Sequence, residues 1–121
     1  MPIIDIEIVL KPNEPIPKEI VPELADQLGE IFDSPKGGTW VKVNGLDDHQ
    51  YHENGRKEEG VYPIFVSVLK SRLPPAEDMQ NEVKKITEAV AHICKRSSEN
   101  VHVIYEPEGR GRIAFGGKLV P

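Results

Sequence analysis

The chain has 121 residues, of which 38% are hydrophobic and 29% charged, and its 20 acids against 15 bases give a formal net charge of −5. That length fits one domain with a small but real core, and the acidic balance argues against a general nucleic-acid binder, which needs a basic field. Its one cysteine, Cys94, rules out an internal disulfide framework and suits a reducing compartment.

The opening residues alternate apolar and acidic side chains and lack the basic start and long apolar run of a signal peptide. No stretch approaches the ~20 apolar residues of a membrane helix. A cytoplasmic protein without membrane or nucleic-acid partners is therefore expected. Ile4, Ile6, Ile8 and Leu10 alternate with Asp5, Glu7 and Val9, the period of a strand with one buried face. Lys11 to Pro17 is proline-broken and reads as a loop. Ile20, Leu24, Leu28 and Ile31 then fall at helical spacing, with Pro22 tolerable only near a helix start. Ser34-Pro35-Lys36-Gly37-Gly38 stops that helix, and Thr39 to Val43 is a second strand. The polar segment from Asn44 to Gly60 reads as a hairpin or loop.

The pattern then recurs. Pro63 opens a strand over Ile64 to Leu69, and Pro74-Pro75 introduces a helix with the stripe Met79, Val83, Ile86, Val90 and Ile93. Ser97 to Asn100 ends that helix, and Val101, Val103 and Tyr105 alternate in a last full strand. Matching elements lie about 60 residues apart, the mark of an internal repeat. One domain over 1–121 follows: a first repeat at 2–43, a connection at 44–62, a second repeat at 63–106 and a glycine-rich tail at 107–121. Strands joined through a helix run parallel, so the expected fold is α/β, α+β in its segregated layers. Two tandem β-α-β units form a four-stranded mixed sheet with two helices on one face, and the tail adds a short hairpin free to cross a neighbouring subunit. The opposite face, carrying Glu7, Val9, Trp40, Phe65, Leu69 and Ile104, is too apolar to stay wholly in water and implies self-association.

Pro2 is the most informative residue for chemistry. Methionine before a small residue is normally removed, which would leave Pro2 with a free secondary amine at the head of a buried strand. An ordinary α-amino group titrates near ~7.7–8, burial and nearby cations lower that value, and a base poised near neutrality suits proton transfer beside a carbonyl. Enolisation builds negative charge on oxygen, which fixed cations stabilise; arginine grips a carboxylate with two bonds and lysine offers a point charge.

The N-terminal proline, the isoleucine-rich strand after it, the tandem repeat and the closing Phe115-Gly116-Gly117-Lys118-Leu119 together resemble the tautomerase superfamily, over nearly the whole chain except Asn44 to Gly60. The second half with its tail is similar to the short 4-oxalocrotonate tautomerase chain, and the double length matches larger members that assemble as trimers. The resemblance implies a homotrimer, no cofactor or metal, and Pro2 as catalytic base or acid on a small carboxylate. Lys36, four residues before the aromatic Trp40, lies where the migration inhibitory factor has a pocket lysine. Lys70 and Arg72 end the third strand, where decarboxylase and dehalogenase members carry paired arginines. His102 occupies a position held elsewhere by arginine or tyrosine, Tyr105 offers a hydroxyl, and Ile113 and Phe115 resemble the apolar tail residues that wall the site.

The expected activity is a cofactor-independent tautomerase or isomerase acting on a small 2-oxo or 2-hydroxy-enoate acid. A proline-based decarboxylase or hydratase is one alternative, and a non-catalytic trimeric binding protein of the same fold is another. Dehalogenating members use a late carboxylate to activate water, and no acid follows Glu108; tautomerisation therefore ranks above hydration. Asp47, Asp48, His49 and His52 resemble metal ligands by type, but nothing in their spacing fixes a site.

Overall fold

A computed structural model describes residues 2–56 and 60–121. Four strands form the main sheet: β1 (Ile3–Val9), β2 (Trp40–Leu46), β3 (Ile64–Leu69) and β4 (Val101–Tyr105). Their spatial order is β2-β1-β3-β4. β1 and β2 are parallel, as are β3 and β4, and the two halves meet antiparallel along β1 and β3. Helix α1 (Ile20–Ile31) links β1 to β2, and α2 (Ala76–Cys94) links β3 to β4. The tail forms a small hairpin of β5 (Ala114–Phe115) and β6 (Lys118–Leu119).

The alternation that marks the strands places Ile4, Ile6, Ile8, Ile64, Val66 and Val68 on one face, all buried. Leu24 and Leu28 of α1 and Ile86, Val90 and Ile93 of α2 bury their stripes in the same cluster. Removing this apolar surface from water is the main force holding the two layers together. Both helices end in the same way. Asp33 and Lys95 adopt left-handed backbones after α1 and α2 (φ 51° and 55°). The next residues donate their N–H groups back to Gly29 and Ala91 at 2.9 and 3.0 Å, closing Schellman turns.

β2 runs three residues beyond the expected Val43, through Asn44, Gly45 and Leu46, because β1 offers it a full seven-residue parallel ladder. Gly45 is required there: a Cβ would lie 2.7 Å from Leu10 Cδ1 and 3.0 Å from Ile16 Cδ1. After β2 the connection is a loop with one 3-10 turn, Asp48–Gln50, rather than a hairpin among the described residues. Of its charged run, Lys57 to Glu59 lies outside the described residues.

The face away from the helices is partly covered within the chain. Tyr51, from the connecting loop, places its ring 5.8 Å from that of Phe65, and the His102 ring lies 5.7 Å from Phe65. Val9, expected among the residues needing cover, is 1% exposed. Trp40 and Ile104 remain 44% and 51% exposed. Among the described residues no helix is long and apolar enough to cross a membrane.

Candidate active site

Pro2 is buried at the head of β1, and its carbonyl accepts the Trp40 N–H at 3.0 Å. Parallel and antiparallel pairing decide what surrounds it. The head of β1 lies beside the head of β2, where Ile3 pairs with Trp40, and beside the end of β3, where Ile3 pairs with Leu69. Pro2 and Lys70 are the residues just beyond that last pair, at the same end of the sheet. β4 runs parallel to β3 and pairs Val68 with Tyr105. One end of the sheet thus gathers Pro2, Lys70 and Tyr105, with Arg72 exposed on the turn after β3.

Lys70 and Tyr105 meet on a residue for which sequence reasoning had no role. Glu82 of α2 accepts from Lys70 Nζ on Oε1 at 2.9 Å and from the Tyr105 hydroxyl on Oε2. The Lys70 and Glu82 side chains are only 19% and 14% exposed, and Phe32, just past α1, turns its ring to the ammonium at 5.0 Å. Burial, reinforced by the Glu82 hydrogen bond, pushes the Tyr105 hydroxyl well above its usual range. Tyr105 therefore stays protonated and acts as a donor. A signal for Glu82 does lie in the sequence: it sits three residues after Met79 and four before Ile86, on the flank of the apolar stripe.

The tail is zipped to the same end. Gly109 N–H donates to the Lys70 carbonyl at 2.8 Å, Arg110 N–H to the Ser71 carbonyl at 3.2 Å, and Leu73 N–H to Glu108 Oε2 at 2.7 Å. Phe115 stands edge-on to Trp40 with ring centroids 5.2 Å apart, and Trp40 Nε1 donates to the Gly37 carbonyl at 3.0 Å. Gly109 is held in close contact, since a Cβ there would lie 2.1 Å from Ile113 Cδ1 and 2.6 Å from Cγ1. Gly109→Ala is expected to displace Ile113 and cost about 1 kcal/mol, measured as a lower urea midpoint with an unchanged slope.

The other expected site residues, Lys36 and His102, sit on a loop and on the open sheet face. Lys36 is exposed on the loop before β2 and lines an open groove of about 690 Å³ with Asp26, Glu30, Asp33 and Thr39. Pro2 is not among the residues lining that groove. His102 is exposed on the open sheet face, paired with Phe65 and so level with Glu7. Five residues of β1 at ~3.3 Å each separate that level from Pro2. Cys94 packs against the core, and burial pushes its thiol up to about 11, so it is no nucleophile at neutral pH. Among the described residues no group of three His, Cys, Asp or Glu comes together as a metal site.

By sequence, the chain matches no family model and no curated protein. By structure it is similar to a fused 4-OT symmetric trimer, at a TM-score of 0.78 and 13% identity over 98% of this chain and 94% of that one. It is similar to Pt0534 inactivated by 2-oxo-3-pentynoate, at 0.74 and 12% over 98% and 94%. It is also similar to N1, a member of the cis-3-chloroacrylic acid dehalogenase family, at 0.74 and 20% over 98% and 83%.

Proposed function

We propose that this chain, which has the tautomerase-superfamily fold, is a cofactor-independent tautomerase of a small 2-oxo or 2-hydroxy-enoate acid with Pro2 as its base. The observation that supports the reading is a buried Pro2 at the end of the sheet where β3 runs out into Lys70 and Arg72 and β4 reaches Tyr105. Removal of Met1 frees the Pro2 nitrogen as a secondary amine. In its neutral form it takes a proton from the carbon next to the carbonyl, and the resulting ammonium returns that proton further along the conjugated system. Arg72 holds the substrate carboxylate. Trp40, Ile113 and Phe115 form the apolar wall and limit water at the reacting carbon.

A homotrimer is part of the same reading, supported by the exposed Trp40 and Ile104 and by the trimeric assembly of the fused 4-OT. In such an assembly His102 would serve a neighbour's site more readily than its own.

The test uses the inactivator seen with Pt0534. 2-Oxo-3-pentynoate carries an alkyne conjugated to its ketone, and a neutral Pro2 amine adds to that alkyne. The expected result is a mass increase of one inactivator per chain, located on an N-terminal peptide that begins at Pro2. A retained Met1, or an adduct elsewhere with Pro2 unmodified, overturns the reading.

A further inference from the structure

The geometry points to Glu82 as the residue that sets the charge class of the substrate: by holding Lys70 in an internal ion pair, it restricts the site to acids with one carboxylate and turns away dicarboxylates. The inference rests on the proposed Pro2 site and deepens it.

By type and position, Lys70 belongs among the carboxylate anchors of that site. The structure commits it elsewhere. Its ammonium gives a 2.9 Å bond to Glu82 Oε1, the Phe32 ring faces it at 5.0 Å, and four-fifths of its side chain is out of solvent. The second oxygen of Glu82 is taken by Tyr105, so the carboxylate is held from β4 as well as from β3 and cannot swing away from Lys70 without giving up both bonds. A substrate carboxylate approaching Lys70 meets a fixed negative charge one hydrogen bond away. In a half-buried setting, like charges at that separation repel strongly.

One other cation nearby is also paired. On the tail loop zipped to the β3 end, Arg110 Nε lies 3.4 Å from Glu108 Oε1. Glu106, just past Tyr105, adds another carboxylate and accepts weakly from Ser67 at 3.4 Å. On the turn after β3, Arg72 is exposed and has no ion-pair partner among the described residues. That turn can therefore bind one carboxylate through Arg72, while the second anchor that Lys70 would supply is cancelled by Glu82. Glu82 acts through Lys70 and Tyr105 and is a positioning residue. Replacing it by glutamine keeps a side chain that can accept one of the two hydrogen bonds and removes the negative charge, which frees the Lys70 cation.

The experiment follows the Pro2 nitrogen by NMR in ¹⁵N-labelled protein titrated at pH 7 with 2-oxobutanoate, a monocarboxylate, and with 2-oxoglutarate, a dicarboxylate. The wild type is expected to bind 2-oxobutanoate about tenfold more tightly or better. E82Q is expected to gain about tenfold for 2-oxoglutarate, the scale of one charge-assisted bond, with 2-oxobutanoate changed by less than about threefold. E82D, which keeps the charge, should retain the wild-type preference. A wild type that binds the dicarboxylate as tightly as the monocarboxylate overturns the inference whether or not E82Q folds. Equal changes toward both acids in a folded E82Q also overturn it and reduce Glu82 to a structural role, leaving the proline chemistry standing. If neither acid moves the Pro2 resonance, the inference fails together with the reading on which it rests.

Discussion

Pro2→Ala is expected to lower turnover of a 2-hydroxy-enoate acid by about 10²-fold or more at pH 7, the range attributed to a positioned general base, while the protein melts within a few degrees of the wild type. Alanine leaves a primary amine on a chain without the ring that fixes the nitrogen at the head of β1. A sharper variant inserts one alanine ahead of Pro2. Met1 is still removed, but the proline nitrogen is then part of a peptide bond and has no basic lone pair. The buried ring and the Trp40 N–H bond to the Pro2 carbonyl are kept, so a loss of rate in that variant reports chemistry and not folding. The sign of the pH dependence is fixed by the same argument. A base works unprotonated, so wild-type kcat/KM should rise as pH increases through the titration of the amine and then level. Full activity in either variant would remove Pro2 from the mechanism.

The parts of this molecule legible in its sequence are those governed by local periodicity. Ile4, Ile6 and Ile8 announce a one-sided strand, and Met79, Val83, Ile86, Val90 and Ile93 announce a helix. Repeating the strand-helix-strand pattern gives the layers and the pairing of like strands. The antiparallel seam between β1 and β3 is less visible, yet it is what brings the end of β3, just before Lys70, beside the head of β1. Contacts between residues far apart in the chain were hidden. Tyr51 covers Phe65 from a segment whose polarity indicated only a hairpin or loop. Glu82 becomes the partner of Lys70 and Tyr105 only once α2 lies on the sheet. Carboxylates on helices are ordinarily solvated, and nothing in its type distinguishes Glu82 from Glu77 or Glu88; its place on the flank of the stripe does. His102 shows the opposite limit: the family resemblance suggested a site role, while the fold of one chain holds it well along the sheet from Pro2.

Arg96→Met should be among the most destabilising single substitutions at the end of the sheet opposite Pro2, by about 3 kcal/mol at pH 7. The left-handed Lys95 closes α2 and directs the chain inward, so that the Arg96 side chain is only 5% exposed. It bonds Glu14 Oε1 and Oε2 at 2.7 and 3.0 Å, and it donates to the Val9 and Tyr62 carbonyls at 3.1 and 3.0 Å. One guanidinium thus joins the end of β1, the proline-rich loop after it, the approach to β3 and the end of α2. Methionine can fill much of the volume but leaves Glu14 and two carbonyls without that donor. The Arg96 hydrogen bond, helped by the Lys11 N–H and opposed by burial, holds the Glu14 carboxyl below the 4.5 of an ordinary glutamate. A depressed folded-state pKa means that the unfolded chain binds the proton more tightly. The stability from this pair is therefore complete above about 4.5 and is lost as pH falls from there through the folded-state value. The deficit of R96M should be largest at neutral pH and should narrow on acidification, as protonation of Glu14 removes the ion pair from the wild type as well. Urea unfolding of both proteins at pH 7 and near pH 3.5 checks this: the gap between midpoints should be roughly 2 M at neutral pH for a slope near 1.5 kcal/mol/M, and clearly smaller in acid. A gap that stays constant with pH would place the stabilisation in the Val9 and Tyr62 carbonyl bonds alone.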